Sequence, residues 1–288
     1  MKSYLLAATL LTCTCLPAYA ITIFNDGSPH NIDGSGPFDQ VVVSNSTTAN
    51  VLSGANVVAP DTATGSVGIY VSDSSIVNMF GGIISGGDDN YLGGLGGNGI
   101  SSDDSTVNID GGTVNGGQKD YLTGGGFGGT GLWANDSLVN ISGGTFNGGF
   151  NTDSGGFGGL ALELAGDTIA NVSGGIFNEG FGGALSQGSI QMVGSSILNL
   201  SGGFLSGHIQ MLYDSVLNVY GSGLAYGGAF SNITGTLVDG TPINAQIYQM
   251  MDSQVNLYEV AVAVPEPSII ALFGLGLAGL GFARRRQS

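Results

Sequence analysis

Three features together predict an all-β fold, a single-stranded right-handed parallel β-helix (solenoid). A motif recurs through the middle of the chain: Asp or Ser, then Ser or Thr, two mostly apolar positions, Asn, an apolar residue, a variable one and usually Gly-Gly. Each copy is flanked by short β-type runs, with no pattern of helix length. Glycine supplies 54 of 288 residues, too many for an ordinary globular core and without the every-third spacing of collagen.

At the start, Lys2 precedes an apolar stretch from Tyr4 to Leu16, and Pro17 leads to a small-x-small site at Ala18, Tyr19 and Ala20. This pattern predicts a signal peptide over 1–20, cut after Ala20 by signal peptidase, with Ala18 and Ala20 as the recognition residues. Both cysteines, Cys13 and Cys15, fall inside the removed segment, and Thr12 is a poor residue before a lipidated cysteine. The exported body then contains no thiol and cannot form disulfides. Residues 21–46 show fewer repeat features but contain Phe24, Phe38 and Val41-Val42-Val43, which suits a cap on the open end of a stack.

Residues 47–226 carry the repeats. Clear copies begin at Asp73, Asp104, Asp136, Asp167, Ser195 and Asp214, and fainter ones surround Asn50 and Asn256. The asparagines at 50, 78, 108, 140, 171, 199, 218 and 256 are separated by 28, 30, 32, 31, 28, 19 and 38 residues. Before the motif comes a short strand such as Ile69-Tyr70-Val71 or Leu132-Trp133-Ala134, and after it another such as Thr113-Val114-Asn115 or Thr145-Phe146-Asn147. Three β-type stretches per repeat read as one coil, and coils stacked at ~4.8 Å give a rod of ~40 Å for eight of them. The crossover rule favours right-handed winding. Glycine at the corners supplies positive φ and a small cross-section. The recurring Asn78, Asn108, Asn140, Asn171 and Asn199 are read as a structural ladder at one corner, with their amides hydrogen-bonded up the column. Several also match N-glycosylation spacing, a match without meaning for a buried ladder.

Between coils lie glycine-rich loops, Gly93-Gly94-Leu95-Gly96-Gly97, Gly125-Gly126-Phe127-Gly128-Gly129, Gly155-Gly156-Phe157-Gly158-Gly159 and Gly180-Phe181-Gly182-Gly183. They resemble the calcium-binding nonapeptide repeats of secreted toxins, but Asn98, Thr130 and Leu160 stand where that family places Asp, so the hard ligand is missing. No Gly-Lys-Ser or Gly-Lys-Thr follows, which excludes a phosphate loop. Leu95, Phe127, Phe157 and Phe181 are expected to form one stacked apolar file. Asp88, Asp89, Asp120 and Asp153 just upstream read as a solvated, charged loop edge. An acidic column gathering Ca²⁺ is the alternative; otherwise no cofactor and no metal site is expected.

Residues 21–263 retain one basic side chain, Lys119, against 20 carboxylates, a formal charge of −19. Nucleic-acid binding is excluded because nothing is available to neutralise phosphate. No catalytic residue is assigned. The two histidines, His30 and His208, are far apart, and Glu163 alternates with apolar neighbours and so is expected to point outward. Paired across coils with Asp104 or Asp136 it would give a hydrolase carboxylate pair, but any repeat with Asp at every corner produces such pairs automatically.

Residues 227–263 depart from the period and are expected to form the other cap and a linker. Over 264–288, Val264, Pro265, Glu266 and Pro267 lead into an apolar run to Ala283, closed by Arg284, Arg285 and Arg286. The 16 uncharged residues from Ser268 to Ala283 would reach ~24 Å as a helix, a marginal membrane span. The arginines act as a cytoplasmic stop, leaving the body outside. This order of motif, transmembrane helix and basic stop resembles the PEP-CTERM sorting signal handled by exosortases in exopolysaccharide-producing Gram-negative bacteria. The resemblance implies an inner-membrane precursor processed by an exosortase and sent to the envelope, cell surface or extracellular matrix. The expected role is a non-catalytic structural protein associated with exopolysaccharide. The alternatives are an adhesin or glycan-binding β-helix protein, and a polysaccharide hydrolase or lyase.

Overall fold

The computed structural model describes residues 19–34, 38–62, 65–89, 94–119, 125–152, 155–182 and 187–260. Ala18 of the cleavage site lies outside them, as do the sorting motif, the expected transmembrane helix and the three arginines. The described residues form 23 strands and no helix, so none of them crosses a membrane as a helix.

Successive repeats place one strand in each of three parallel ladders. The first runs through Ile21–Phe24, Gln40–Val43, Ile69–Val71, Ile100–Asp103, Leu132–Asn135, Leu162–Ala165, Ile190–Met192, Ile209–Met211 and Pro242–Gln249. The second runs through Pro29–Ile32, Thr48–Val51, Ile76–Met79, Thr106–Ile109, Leu138–Ile141, Ile169–Asn178, Ile197–Leu205, Val216–Tyr226 and Gln254–Glu259. The third begins with Asn56–Val58, Ile83–Ser85, Thr113–Asn115 and Thr145–Asn147, then continues in the far ends of Ile169–Asn178 and Ile197–Leu205. Residues 21–46, expected as a cap, already supply strands in register with the ladders. At the other end Asn232–Leu237 pairs antiparallel with Val216–Tyr226 and with Pro242–Gln249, interrupting the period before the final coil.

The alternation of each strand explains the core. In Val107-Asn108-Ile109 the two apolar residues point inward and Asn108 outward. Stacking in register then gives files of identical chemistry, such as Val51, Met79, Ile109, Ile141, Val172, Leu200 and Val219, all buried. Phe146 and Phe177 stack inside at 5.0 Å between centroids. The Ser or Thr of the motif lies inside at the corner: Thr47, Ser75, Ser105, Ser137, Thr168, Ser196, Ser215 and Ser253 are all buried. The corner itself needs left-handed backbone, which Asp73, Ser74, Asp104 and Asp136 adopt at φ of 46–57°.

The loop glycines act differently from the expected corner role. Gly180, Gly159, Gly149, Gly129, Gly117 and Gly97 pass backbone hydrogen bonds from one to the next at 2.7–2.9 Å, each N–H donating to the carbonyl of the following glycine in that series and the last to Gly87. A Cβ on Gly129 would lie 2.0 Å from the carbonyl oxygen of Gly97. Close backbone approach, rather than positive φ, requires glycine there.

Candidate functional site

Two of the outward-facing files are amide columns, and the outer file of the first ladder is varied. On the second ladder Asn31, Asn50, Asn78, Asn108, Asn140, Asn171, Asn199, Asn218 and Asn256 form a single amide column. Each Nδ2 donates to the Oδ1 of the preceding coil at 2.8–3.1 Å. Asn78, Asn108, Asn140, Asn171 and Asn199 therefore stand mid-strand on the outer face. They do not sit at a corner or in the interior, because the apolar residues on either side of each take the inward positions. A shallow trough of about 490 Å³ follows this column, but its amides already bond one another. A second column, not anticipated, runs on the third ladder: Asn178 donates to Asn147 at 2.8 Å, Asn147 to Asn115 at 2.7 Å and Asn115 to the Ser85 hydroxyl at 3.1 Å.

The outer file of the first ladder breaks this uniformity. Tyr70, Ser101, Trp133, Glu163, Gln191, Gln210 and Tyr248 follow one another in register. With the glycine loops as the facing wall, this file bounds a groove of about 300 Å³ lined by Leu95, Phe127, Trp133, Glu163, Gln187 and Gln191 among others. Phe127 stacks on Phe157 at 5.4 Å. Glu163 points away from the core as expected, yet into this groove and half-buried. Burial raises its carboxyl above the ordinary 4.5, opposed by hydrogen bonds from the Thr130 hydroxyl and the Trp133 indole. Thr130 Oγ1 donates to it at 3.4 Å, and the Thr130 N–H donates to Asn98 Oδ1 at 3.0 Å. An aromatic plane beside a carboxyl and two primary amides can bind a sugar ring, stacking on its apolar face and hydrogen-bonding its hydroxyls.

Asp104 and Asp136 do not meet Glu163. They occupy the corner beyond the strand end, where Asp136 Oδ1 accepts from the Asp167 N–H at 2.8 Å. Among the described residues no three His, Cys, Asp or Glu gather as a metal ion requires. His30 bonds Asp26 at 2.8 Å and stacks on Phe24. His208 packs edge-on to Tyr248, and burial lowers its pKa against an opposing pull from Glu179.

Two further expectations are corrected. Asp89 is not part of an exposed acidic edge; it is fully buried against Lys119, with Nζ 2.9 Å from Oδ2. Asp120 and Asp153 lie outside the described residues. Phe181 leaves the apolar file and stacks on Phe150 at 6.2 Å, because both rings follow the strand of their coil, whereas Leu95, Phe127 and Phe157 precede theirs.

Ala20 is exposed immediately before strand Ile21–Phe24. No curated protein and no solved structure matches the chain. The family model of the PEP-CTERM protein-sorting motif matches residues 263–287, a span that includes Val264, Pro265, Glu266, Pro267, Arg284, Arg285 and Arg286. The chain is thus a PEP-CTERM motif-containing protein, exported as a membrane-anchored precursor and directed to an exosortase in Gram-negative bacteria.

Proposed function

We propose that this protein is a structural component of the cell surface or extracellular matrix. In this reading the body is a right-handed solenoid rod, released near Pro265–Pro267 and associated with exopolysaccharide. The observation that carries the proposal is the pairing of a sorting motif with a body that carries two repetitive amide columns on its outer face. Such columns stiffen a rod and present nothing reactive.

The groove at Trp133 and Glu163 favours glycan contact as the mode of association. Its ligand would be neutral, since the body is strongly acidic and its one lysine is buried. Catalysis is not expected, because among the described residues no second carboxylate lines the groove with Glu163. The test is co-sedimentation of the mature protein with exopolysaccharide purified from the producing bacterium. Retention that falls at least tenfold in Trp133→Ala supports the proposal. Absence of retention, or release of reducing ends from the polymer, overturns it.

A further inference from the structure

Lys119 is the one basic side chain in residues 21–263, and it lies in the interior. Asp89, Lys119 and Asn151 are in-register partners on three successive coils, joined by parallel bridges. Their exposures are 0 %, 0 % and 5 %. The backbone of Lys119 brackets Asn151: its N–H donates to the Phe150 carbonyl at 2.8 Å and its carbonyl accepts from the Thr152 N–H at 3.0 Å. A parallel bridge sets the two Cα atoms ~4.8 Å apart with side chains on one face. Gly126 lies against both side chains. Its carbonyl accepts from Asn151 Nδ2 at 2.8 Å, and a Cβ there would fall 3.1 Å from Lys119 Cε. An amine, a carboxamide and a carboxylate therefore share one space from which water is excluded.

We propose that Lys119 and Asn151 are joined by an intramolecular isopeptide bond, with Asp89 as the proton carrier. Asp89 takes a proton from the Lys119 ammonium, and the freed Nζ lone pair attacks Asn151 Cγ. The tetrahedral intermediate collapses with cleavage of the Cγ–Nδ2 bond. The Asp89 proton and the second Nζ proton go to the departing nitrogen, and an ammonium ion leaves. One amide is exchanged for another, so no oxidant, reductant or activated co-reactant is required. A buried ion pair is by itself weak support for a fold, and the exported body has no thiol for a disulfide. A covalent tie between adjacent coils gives a function to a lysine that the surface chemistry does not use.

The experiment is intact mass spectrometry of the denatured mature protein, followed by mapping with a protease that does not cut at lysine. The wild type is expected ~17 Da below its calculated mass, with a branched peptide joining Lys119 to Asn151. Asn151→Ala, which keeps the Lys119–Asp89 pair, and Lys119→Arg should both have their full calculated mass. A wild type at full mass overturns the proposal. So does a deficit of ~18 Da with Asp89 in the branch, or a ~17 Da deficit confined to a linear peptide.

Discussion

Asn140 occupies the middle of the amide column, donating to Asn108 at 2.8 Å and accepting from Asn171 at 2.9 Å. Asn140→Ala removes both bonds. At ~1 kcal/mol net for each, the cost is ~2 kcal/mol, and exposure to solvent keeps it there because water can reach the abandoned groups. For a body of this size that corresponds to a fall in Tm of about 4–8 °C. Asn31, at the end of the column, makes a single ladder bond, so Asn31→Ala should cost ~1 kcal/mol. The discriminating variant is the double Asn108→Ala, Asn140→Ala. It removes three bonds, whereas the two single variants counted separately remove four, because the bond between them is counted twice. The double should therefore be ~1 kcal/mol less destabilised than the sum of the singles. Thermal and urea unfolding of the mature protein, followed by circular dichroism, reads all four. Strict additivity, or equal costs at Asn31 and Asn140, would refute the ladder as a coupled structural element.

At the buried corner, Ser137 Oγ accepts from the Ser105 N–H at 3.2 Å and donates to the Asn135 carbonyl at 2.7 Å, so Ser137→Ala should cost ~1–3 kcal/mol. Ser215 Oγ is buried with no hydrogen-bond partner among the described residues, so Ser215→Ala should be neutral or stabilising in the same unfolding assay. Gly129→Ala drives a methyl into the Gly97 carbonyl and should cost ~3 kcal/mol or more. Gly155→Ala, whose added Cβ meets none of the described residues within 4 Å, should stay within ~0.5 kcal/mol. Glu163 has its pKa raised by burial, so the folded state favours the protonated form and ionisation lowers stability as pH rises through 4.5 and beyond. Glu163→Gln should therefore gain stability relative to wild type between pH 4 and pH 7, and a constant difference across that range would contradict the placement of the side chain.

The repeat of in-register strands was legible because its signal is local. Val107-Asn108-Ile109 and its counterparts state the period of two, and the recurrence of Asn states the register. Asn31 escaped because Pro29-His30-Asn31-Ile32 lacks the corner Asp-Ser and the Gly-Gly, although its strand alternation is the same. The column through Asn115, Asn147 and Asn178 escaped for a different reason: each stands at the end of a short strand, and only alignment of three coils reveals it. Composition misdirected the reading of Phe181, whose Gly-Phe-Gly-Gly context imitates that of Phe157 while its distance from Asn178 matches that of Phe150 from Asn147. Lys119 and Asp89 look like surface charges in a polar loop, and their burial follows from coils stacking on both sides. The groove at Trp133 and Glu163 had only a weak signal, the replacement of a repeated outward residue by an aromatic and an acid on neighbouring coils.

The most direct test of an exported, exosortase-processed structural protein is intact mass with terminal peptide mapping, applied to protein recovered from cells and from medium. The account predicts a form outside the inner membrane that begins at Ile21 and ends near Pro265 or Pro267. A form confined to the membrane and still carrying Arg284, Arg285 and Arg286 would contradict it, and would make the segment after Val264 a permanent anchor.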